Sequence, residues 1–318
     1  MTGWVNLDGY RRAWRELGNG DPYFTPEFLR ASAIAADAEP AAFVHGDVLY
    51  PFLVRPLADG RCDVTSAYGF GGPSAAGDWR GAFREACAER GVVSEFVRFH
   101  PVRGNQRFAG DDVRVTHVQD MVVLDVQAPD DELVRRMAPQ ARNKLRKAMR
   151  AGLHVEESGD LARFQSLYAA EMRRLDADES YLFGPEYFGA LAEMGDSLTM
   201  LDAGEAAALF LRGAGAMHYF LAASTDDGRR HAATNLIIND AMRRARDAGL
   251  QALNLGGGLR EGDSLHDFKT SFGPGRAPYY VGAAVHDESA YRELCADAGT
   301  EPADGFFPAY RRPAESPV

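Results

Sequence analysis

One arrangement of predicted elements occurs twice in this chain. In the first half, apolar segments at 41–45 and 48–57 predict two strands around a His-Gly-Asp turn. A glycine-rich loop follows, and then a helix over about 78–90 that ends at Gly91, and an apolar strand at 92–99. The order is therefore hairpin, loop, helix, strand.

The second half repeats that order at similar lengths. Strands are predicted at 206–211 and 217–224, followed by a turn-rich loop at 225–230. Thr234 or Asn235 can cap the next helix, whose apolar stripe ends at Ala248, and Gly249 stops it before a strand at 250–255. The sequence thus predicts two related domains of mixed α/β class.

The length of 318 residues suits two domains. We predict an N-terminal domain over 1–128, a second domain over 129–286 and a C-terminal segment over 287–318 that packs back on the first domain. The beginning of the chain lacks the features of a signal peptide, and no apolar run is long enough to span a bilayer. Three cysteines without metal-ligand spacing fit a reducing compartment, so we expect a cytoplasmic protein without membrane insertion and without a metal.

A basic segment lies between the two repeats. Residues 130–150 predict an amphipathic helix, interrupted near Pro139, and its part from Arg135 to Arg150 carries seven basic residues and no acid. The chain as a whole has a net charge of −11, which argues against a general nucleic-acid-coating role. Such a local patch could bind phosphates, and a solvated helix face explains it equally well.

Lysine is nearly absent from the sequence. Of the 35 basic residues, the only lysines are Lys144, Lys147 and Lys269. A lysine offers a compact ammonium on a flexible stem, whereas an arginine offers a planar fork. The few positions that keep lysine, above all Lys269 after a glycine-rich turn, are therefore candidates for a function that needs this geometry.

Six stretches carry a resemblance to a known family, and they lie in order over roughly residues 40 to 285. They are Tyr68-Gly-Phe-Gly-Gly-Pro73, Phe96-Val-Arg-Phe-His-Pro101, Arg142-Asn-Lys-Leu-Arg-Lys-Ala148, Tyr181-Leu-Phe-Gly-Pro-Glu-Tyr-Phe188, Asn254-Leu-Gly-Gly-Gly258 and Asp267-Phe-Lys-Thr-Ser-Phe272. With the repeated plan, they resemble the Fem family, the aminoacyl-tRNA-dependent transferases built from two tandem domains like those of the GCN5-related N-acetyltransferases (GNAT).

The resemblance implies two GNAT-like domains that share a cleft, and a transferase that forms peptide bonds. The donor would be the acceptor end of an aminoacyl-tRNA, used as a co-substrate without a further cofactor. The amine acceptor would belong to a small molecule or peptide, in cell-wall or natural-product biosynthesis. The long helical arm of several relatives has no counterpart between Leu161 and Gly204.

Two other functions stay open. Acyl-CoA-dependent GNAT enzymes place glycines where backbone N–H groups approach the pyrophosphate. The nearest segment here, Arg230 to Asn235, has Ala233 and Asn235 at those positions, although Arg230 suits the first one. N-acylation from acyl-CoA is therefore the alternative, and a non-catalytic tandem GNAT-like binding protein is the third hypothesis.

Lys269 is the predicted catalytic residue. It matches the lysine of the Phe-Lys pair that the family places near the transfer centre. An ammonium can stabilise the oxyanion that forms when an amine attacks an aminoacyl ester, or the departing ribose oxygen. We assign no protein base, because neither His100 nor His218 has a carboxylate partner in the sequence. Positioning of an activated ester can suffice.

The remaining candidates are substrate-binding residues. They occupy the basic helix, the glycine-rich loop or predicted strand ends, where ligands of α/β folds bind, or they neighbour Lys269; Asn235 lies at the start of the predicted helix in the second repeat. The predicted set is Tyr68, Arg98, His100, Arg142, Lys144, Arg146, Tyr219, Asn235 and Phe268.

Overall fold

A computed structural model describes residues 2–301 and 305–312, so part of the predicted segment 287–318 lies outside the described residues. The fold is mixed α/β, as predicted. The strands are β1 (Gly3–Asn6), β2 (Glu39–His45), β3 (Val48–Pro56), β4 (Cys62–Thr65), β5 (Val92–Arg98), β6 (Arg114–Asp125), β7 (Glu156–Glu157), β8 (Leu198–Asp202), β9 (Ala206–Gly213), β10 (Ala216–Ser224), β11 (Ala252–Gly256) and β12 (Arg276–Val285). The helices are α1 (Leu7–Leu17), α2 (Pro26–Ala36), α3 (Arg80–Glu89), α4 (Asp130–Arg136), α5 (Pro139–Arg150), α6 (Leu161–Arg174), α7 (Pro185–Ala192), α8 (Asp226–His231), α9 (Ala233–Asp247), α10 (Ser264–Thr270) and α11 (Glu288–Asp297).

The chain forms two compact units. The first contains the residues up to Asn19, Ala36–Val118 and the chain from Tyr279 onward; the second contains Gly20–Ala35 and Gln119–Pro278. Within the described residues, no helix is both long enough and apolar enough to span a lipid bilayer.

In the first unit, the strand order is β1-β2-β3-β4-β5-β12. All neighbouring pairs are antiparallel except β4 and β5, which run parallel. An aromatic core in which Phe43, Tyr50 and Phe83 are at most 1% exposed fills the space between this sheet and α3. Helix α3 ends where Gly91 adopts a φ of +63°, as the sequence predicted.

In the second unit, the strand order is β6-β11-β10-β9-β8-β7. Here the parallel pair is β10 and β11, and α9 lies between them in the chain. The buried face of α9 includes Ile237, Ala241 and Ala245 and packs on the sheet together with α5. Apolar residues at helical spacing therefore fix both helices against one core.

Three local predictions for this unit differ from the structure. The loop predicted at 225–230 is the short helix α8, because the side chain of Thr225 accepts a hydrogen bond from the N–H of Gly228 and caps it. Helix α9 then follows directly, so its N-cap is Ala232 in a left-handed conformation, not Thr234 or Asn235. Ala248 lies at the C-cap and is exposed, so it does not belong to the buried stripe.

The predicted break in the basic segment is confirmed. Helix α4 ends at Arg136, and α5 begins at Pro139, which occupies the first helical position, where its missing N–H costs no hydrogen bond. Ala141, Leu145 and Ala148 form the buried stripe of α5 and direct its basic residues away from the core.

Candidate active site

The parallel strand pair β10–β11 of the second unit ends beside a bulge and a glycine turn. Its ladder runs from Ala216 beside Ala252 to His218 beside Asn254. Beyond this point β10 continues with Tyr219 and a bulge, and β11 ends at Gly256 in a glycine turn. Ligands of open α/β sheets commonly bind at the carboxyl ends of parallel strands, so this position is a candidate site.

Lys269 is buried at this position. Only 8% of the residue is exposed, and its Nζ donates a hydrogen bond to the carbonyl oxygen of Gly257 at 2.7 Å. The Nζ also lies 5.9 Å from the ring centroid of Tyr219. Within the described part of the chain, no carboxylate lies within 4.0 Å of this ammonium.

Burial lowers the pKa of Lys269 to about 8, and the more distant charge of Asp263 partly opposes this shift. Asp263 caps α10, because its carboxylate accepts hydrogen bonds from the N–H groups of Arg260 and His266. At neutral pH Lys269 is therefore mostly an ammonium. Within the described residues its ammonium makes only the hydrogen bond to Gly257, so two of its three N–H groups can donate to a ligand.

The glycine turn is held from two sides. Asn254 accepts a hydrogen bond from the N–H of Gly256 at 2.9 Å, and its Nδ2 lies 3.2 Å from Nδ1 of the buried His218. Gly256 has a φ of +75°, a conformation that glycine adopts without strain. A Cβ at this position would also lie 3.3 Å from the Nζ of Lys269.

Gln119 holds the other end of the turn. Its Nε2 donates a hydrogen bond to the carbonyl oxygen of Gly258 at 3.1 Å, which fixes the orientation of the carboxamide. Its Oε1 is buried and has no hydrogen-bond partner in the described residues. A Cβ on Gly257 would come within 2.6 Å of this oxygen, so any larger residue there would force the carboxamide of Gln119 to move.

The structure brings Lys269 and Tyr219 together, and Phe268 directly precedes Lys269 in sequence. The Phe268 ring lies 5.2 Å from that of Phe272 and packs against the core. Asn235 is buried in α9, and its Nδ2 has no hydrogen-bond partner in the described residues.

The predicted residues on α5 are more exposed. The Nη1 of Arg142 donates a hydrogen bond to the carbonyl oxygen of Arg135 at 3.2 Å, and Arg146 donates one to Asn143 at 2.9 Å. Both border a cavity of about 450 Å³ whose walls include Leu145. Lys144 is exposed.

The other predicted residues belong to the first unit, at the carboxyl ends of its parallel pair β4–β5. The N–H of Arg98 donates a hydrogen bond to Oγ of Ser66 at 2.8 Å, and Tyr68 is 40% exposed on the loop that follows. His100 is buried against Phe70, and burial together with the charge of Arg103 lowers its pKa to about 3. A neutral imidazole results.

Three residues around Lys269, namely Gln119, Asn254 and Gly257, are not among the candidates predicted from the sequence. Asn254 and Gly257 belong to the Asn-Leu-Gly-Gly-Gly stretch, so a signal for them was present. Gln119 lies in β6, 139 residues from its partner Gly258, and no local pattern marks it.

Comparison with known proteins shows the same fold in solved structures. FemX matches with a TM-score of 0.63 and 15% identity, over 91% of this chain and 98% of FemX. L-PGS from Bacillus licheniformis matches with a TM-score of 0.57 and 15% identity, over 89% of this chain and 93% of L-PGS. A conserved protein of unknown function from Bacteroides thetaiotaomicron VPI-5482 matches with a TM-score of 0.60 and 12% identity, over 90% of this chain and all of that one.

The predicted Fem-like fold is thus confirmed. No family model matches the sequence, and no curated protein matches it. At these identities the likeness concerns the fold alone.

Proposed function

We propose that the protein is a transferase that forms an amide bond, moving an aminoacyl group from an aminoacyl-tRNA to the amine of a small molecule or peptide. The observation that carries this proposal is the buried ammonium of Lys269 at the carboxyl ends of β10 and β11. The fold shared with FemX supports the transferase class. The Phe268-Lys269 pair, which resembles the Phe-Lys pair of the Fem family, supports the role of Lys269.

The proposed reaction assigns each group a task. The acceptor nitrogen attacks the ester carbonyl carbon and forms the new C–N bond; the bond to the ribose oxygen then breaks. The nitrogen loses a proton, and the ribose oxygen gains one. Lys269 donates a hydrogen bond to the tetrahedral oxyanion or to the departing oxygen, and an ammonium shielded from water makes that interaction strong. The proton moves between substrate groups, so no protein base is required.

The segment that would bind the pyrophosphate of acyl-CoA supports the RNA donor over the CoA donor. At the start of α9 the side chains of Ala233 and Asn235 occupy the positions where CoA enzymes keep glycines. Arg230, which suits the first position of the CoA motif, forms an ion pair with Asp227 one turn earlier. Both features reduce the number of groups that are free to hold a pyrophosphate.

The donor can be identified with purified protein, a mixture of aminoacyl-tRNAs and a panel of amines. We expect amide formation that ribonuclease abolishes and that releases no free thiol. Activity that survives ribonuclease and releases thiol from an acyl-CoA would overturn the proposal in favour of the N-acyltransferase. A protein that binds an amine or a partner and transfers neither group would support the non-catalytic hypothesis.

A further inference from the structure

Helix α5 carries an unusual set of cations. Five basic side chains lie on its outer surface, and in the described residues none has a carboxylate within 4.0 Å. They are Arg142, Lys144, Arg146, Lys147 and Arg150. The protein has a net charge of −11, so carboxylates are abundant elsewhere on it. A cluster of unpaired cations on an otherwise acidic protein attracts anions, so it is suited to bind an anionic ligand.

The arginines on the helices next to α5 form ion pairs, unlike the cations of α5. On α4, Arg135 pairs with Asp131 at 2.6 Å, and Arg136 pairs with Glu132 at 3.1 Å. On α9, Arg244 pairs with Asp240 at 2.5 Å. Basic residues on neighbouring helices of the same unit are thus neutralised, whereas those of α5 are not.

The position of α5 connects it to the candidate active site. The backbone N–H of Ala138, its N-cap residue, donates a hydrogen bond at 2.8 Å to the carbonyl oxygen of Ser271, two residues after Lys269. From there the twelve residues of α5 extend about 18 Å. Its cations from Arg142 to Arg150 are spread over roughly 12 Å of that length, further than one phosphate group can reach.

We infer that α5 binds the phosphodiester backbone of the RNA that carries the donor, whose ester-bearing end lies at Lys269 and whose strand follows the helix. The inference rests on the proposed function and deepens it, because it assigns this surface to the donor and not to a phosphate on the acceptor. Arg142, whose guanidinium donates hydrogen bonds to backbone carbonyl oxygens, is the cation nearest the end of α5 that contacts Ser271; the four cations after it extend the contact along the helix.

The test compares two variants of equal charge change. Lys144→Gln/Lys147→Gln removes two α5 cations whose side chains form no hydrogen bond or ion pair within the described residues, whereas Arg135→Gln/Arg136→Gln removes two paired cations from α4. Binding of deacylated tRNA is measured by fluorescence anisotropy over a range of salt concentrations. We expect the lysine variant to lose about tenfold in affinity and to show a salt slope smaller by about 1 to 2, with the α4 variant close to wild type.

Equal affinity and equal salt slope in the two variants would overturn the inference. A change in the KM of the acceptor, with tRNA binding unchanged, would assign α5 to the acceptor and overturn it as well. These results are distinguishable from a failure of the proposed function. If ribonuclease leaves turnover of the wild-type protein intact, the RNA donor itself is wrong, and the inference falls with it.

Discussion

The Nζ of Lys269 donates a hydrogen bond to the carbonyl oxygen of Gly257 at 2.7 Å, and this contact aims a buried ammonium at the end of a parallel strand pair. A buried lysine without a carboxylate partner costs stability, because its charge loses the hydration of bulk water. Proteins tolerate such costs at functional sites. The contact between Lys269 and the glycine turn therefore links the fold to the proposed chemistry.

Lys269→Ala should reduce turnover on the order of 100-fold or more, the effect of removing one oxyanion donor. Donor binding, measured by anisotropy, should change little, because the ammonium acts on charge that develops during the reaction. Lys269→Arg should recover little activity, since a planar guanidinium cannot occupy the same point. Turnover like that of the wild type in Lys269→Ala would remove Lys269 from the mechanism.

The pH dependence of turnover should reveal which form of Lys269 is active. Its pKa is lowered to about 8, so the ammonium predominates below pH 8 and is lost above it. If the ammonium stabilises negative charge, initial rates at saturating substrate should fall above pH 8, and this fall should be absent from the residual activity of Lys269→Ala. A wild-type rate that rises through pH 9, with no such rise in Lys269→Ala, would indicate that the neutral amine of Lys269 acts as a base.

Lys269→Met should stabilise the folded protein at neutral pH while it lowers turnover about as much as Lys269→Ala does. The pKa of Lys269 is about 8 in the folded protein and near 10.5 in the unfolded chain, so below pH 8 both states are protonated and the folded state bears the full cost of burying the charge. We expect a gain on the order of 1–3 kcal/mol in urea unfolding at pH 7. The gap should close as the pH rises from 8 to 10.5, and a variant less stable at pH 7 would contradict this account.

The fold class and part of the candidate site were predictable because their signals are local. The scarcity of lysine and the Phe-Lys pair made Lys269 a candidate, and the repeated order of hairpin, helix and strand predicted the fold class. A continuous run of apolar residues marks a fully buried strand such as β3 directly, and Gly91 marks a helix end.

Other features depend on partners that are distant in sequence. Gln119 is a candidate because of its hydrogen bond to Gly258, and nothing in the residues adjacent to it in sequence indicates that contact. The four-residue strand β4 contains the buried Asp63, which interrupts any apolar pattern; its carboxylate is balanced by Arg55 and Arg311. Helix α8 was predicted as a loop because its composition is polar and it spans only six residues.

Arg80→Met should destabilise the first unit. Arg80 donates hydrogen bonds to both oxygens of Glu95, at 3.0 and 2.6 Å, and Glu95 is only 1% exposed. Burial would raise the pKa of Glu95, but the charge of Arg80 and the hydrogen bonds from Arg80 and His286 outweigh it and lower the pKa to about 2. Without Arg80 a buried carboxylate loses its main counter-charge, and the expected loss in urea unfolding is about 3–5 kcal/mol.

A control separates this charge effect from lost packing. The double variant Arg80→Met/Glu95→Gln removes the charge on both partners, so it should recover part of the loss. The wild type should also lose stability as the pH falls from about 4.5 towards 2, because the folded-state pKa of Glu95 lies below the unfolded value. A cost under 1 kcal/mol for Arg80→Met would contradict the assigned role of the pair.

Gly257→Ala should disturb the site through Gln119, and a second substitution should relieve the disturbance. A Cβ on Gly257 would lie 2.6 Å from Oε1 and 2.9 Å from Nε2 of Gln119, closer than atoms in contact normally approach. We expect Gly257→Ala to lower both turnover and the free energy of unfolding, the latter by about 1–3 kcal/mol. In a Gln119→Ala background the space is open, so the same change should cost much less, and the double-mutant cycle should give a coupling energy above about 0.5 kcal/mol. Equal costs in the two backgrounds would show that Gln119 does not set the shape of the turn that holds Lys269.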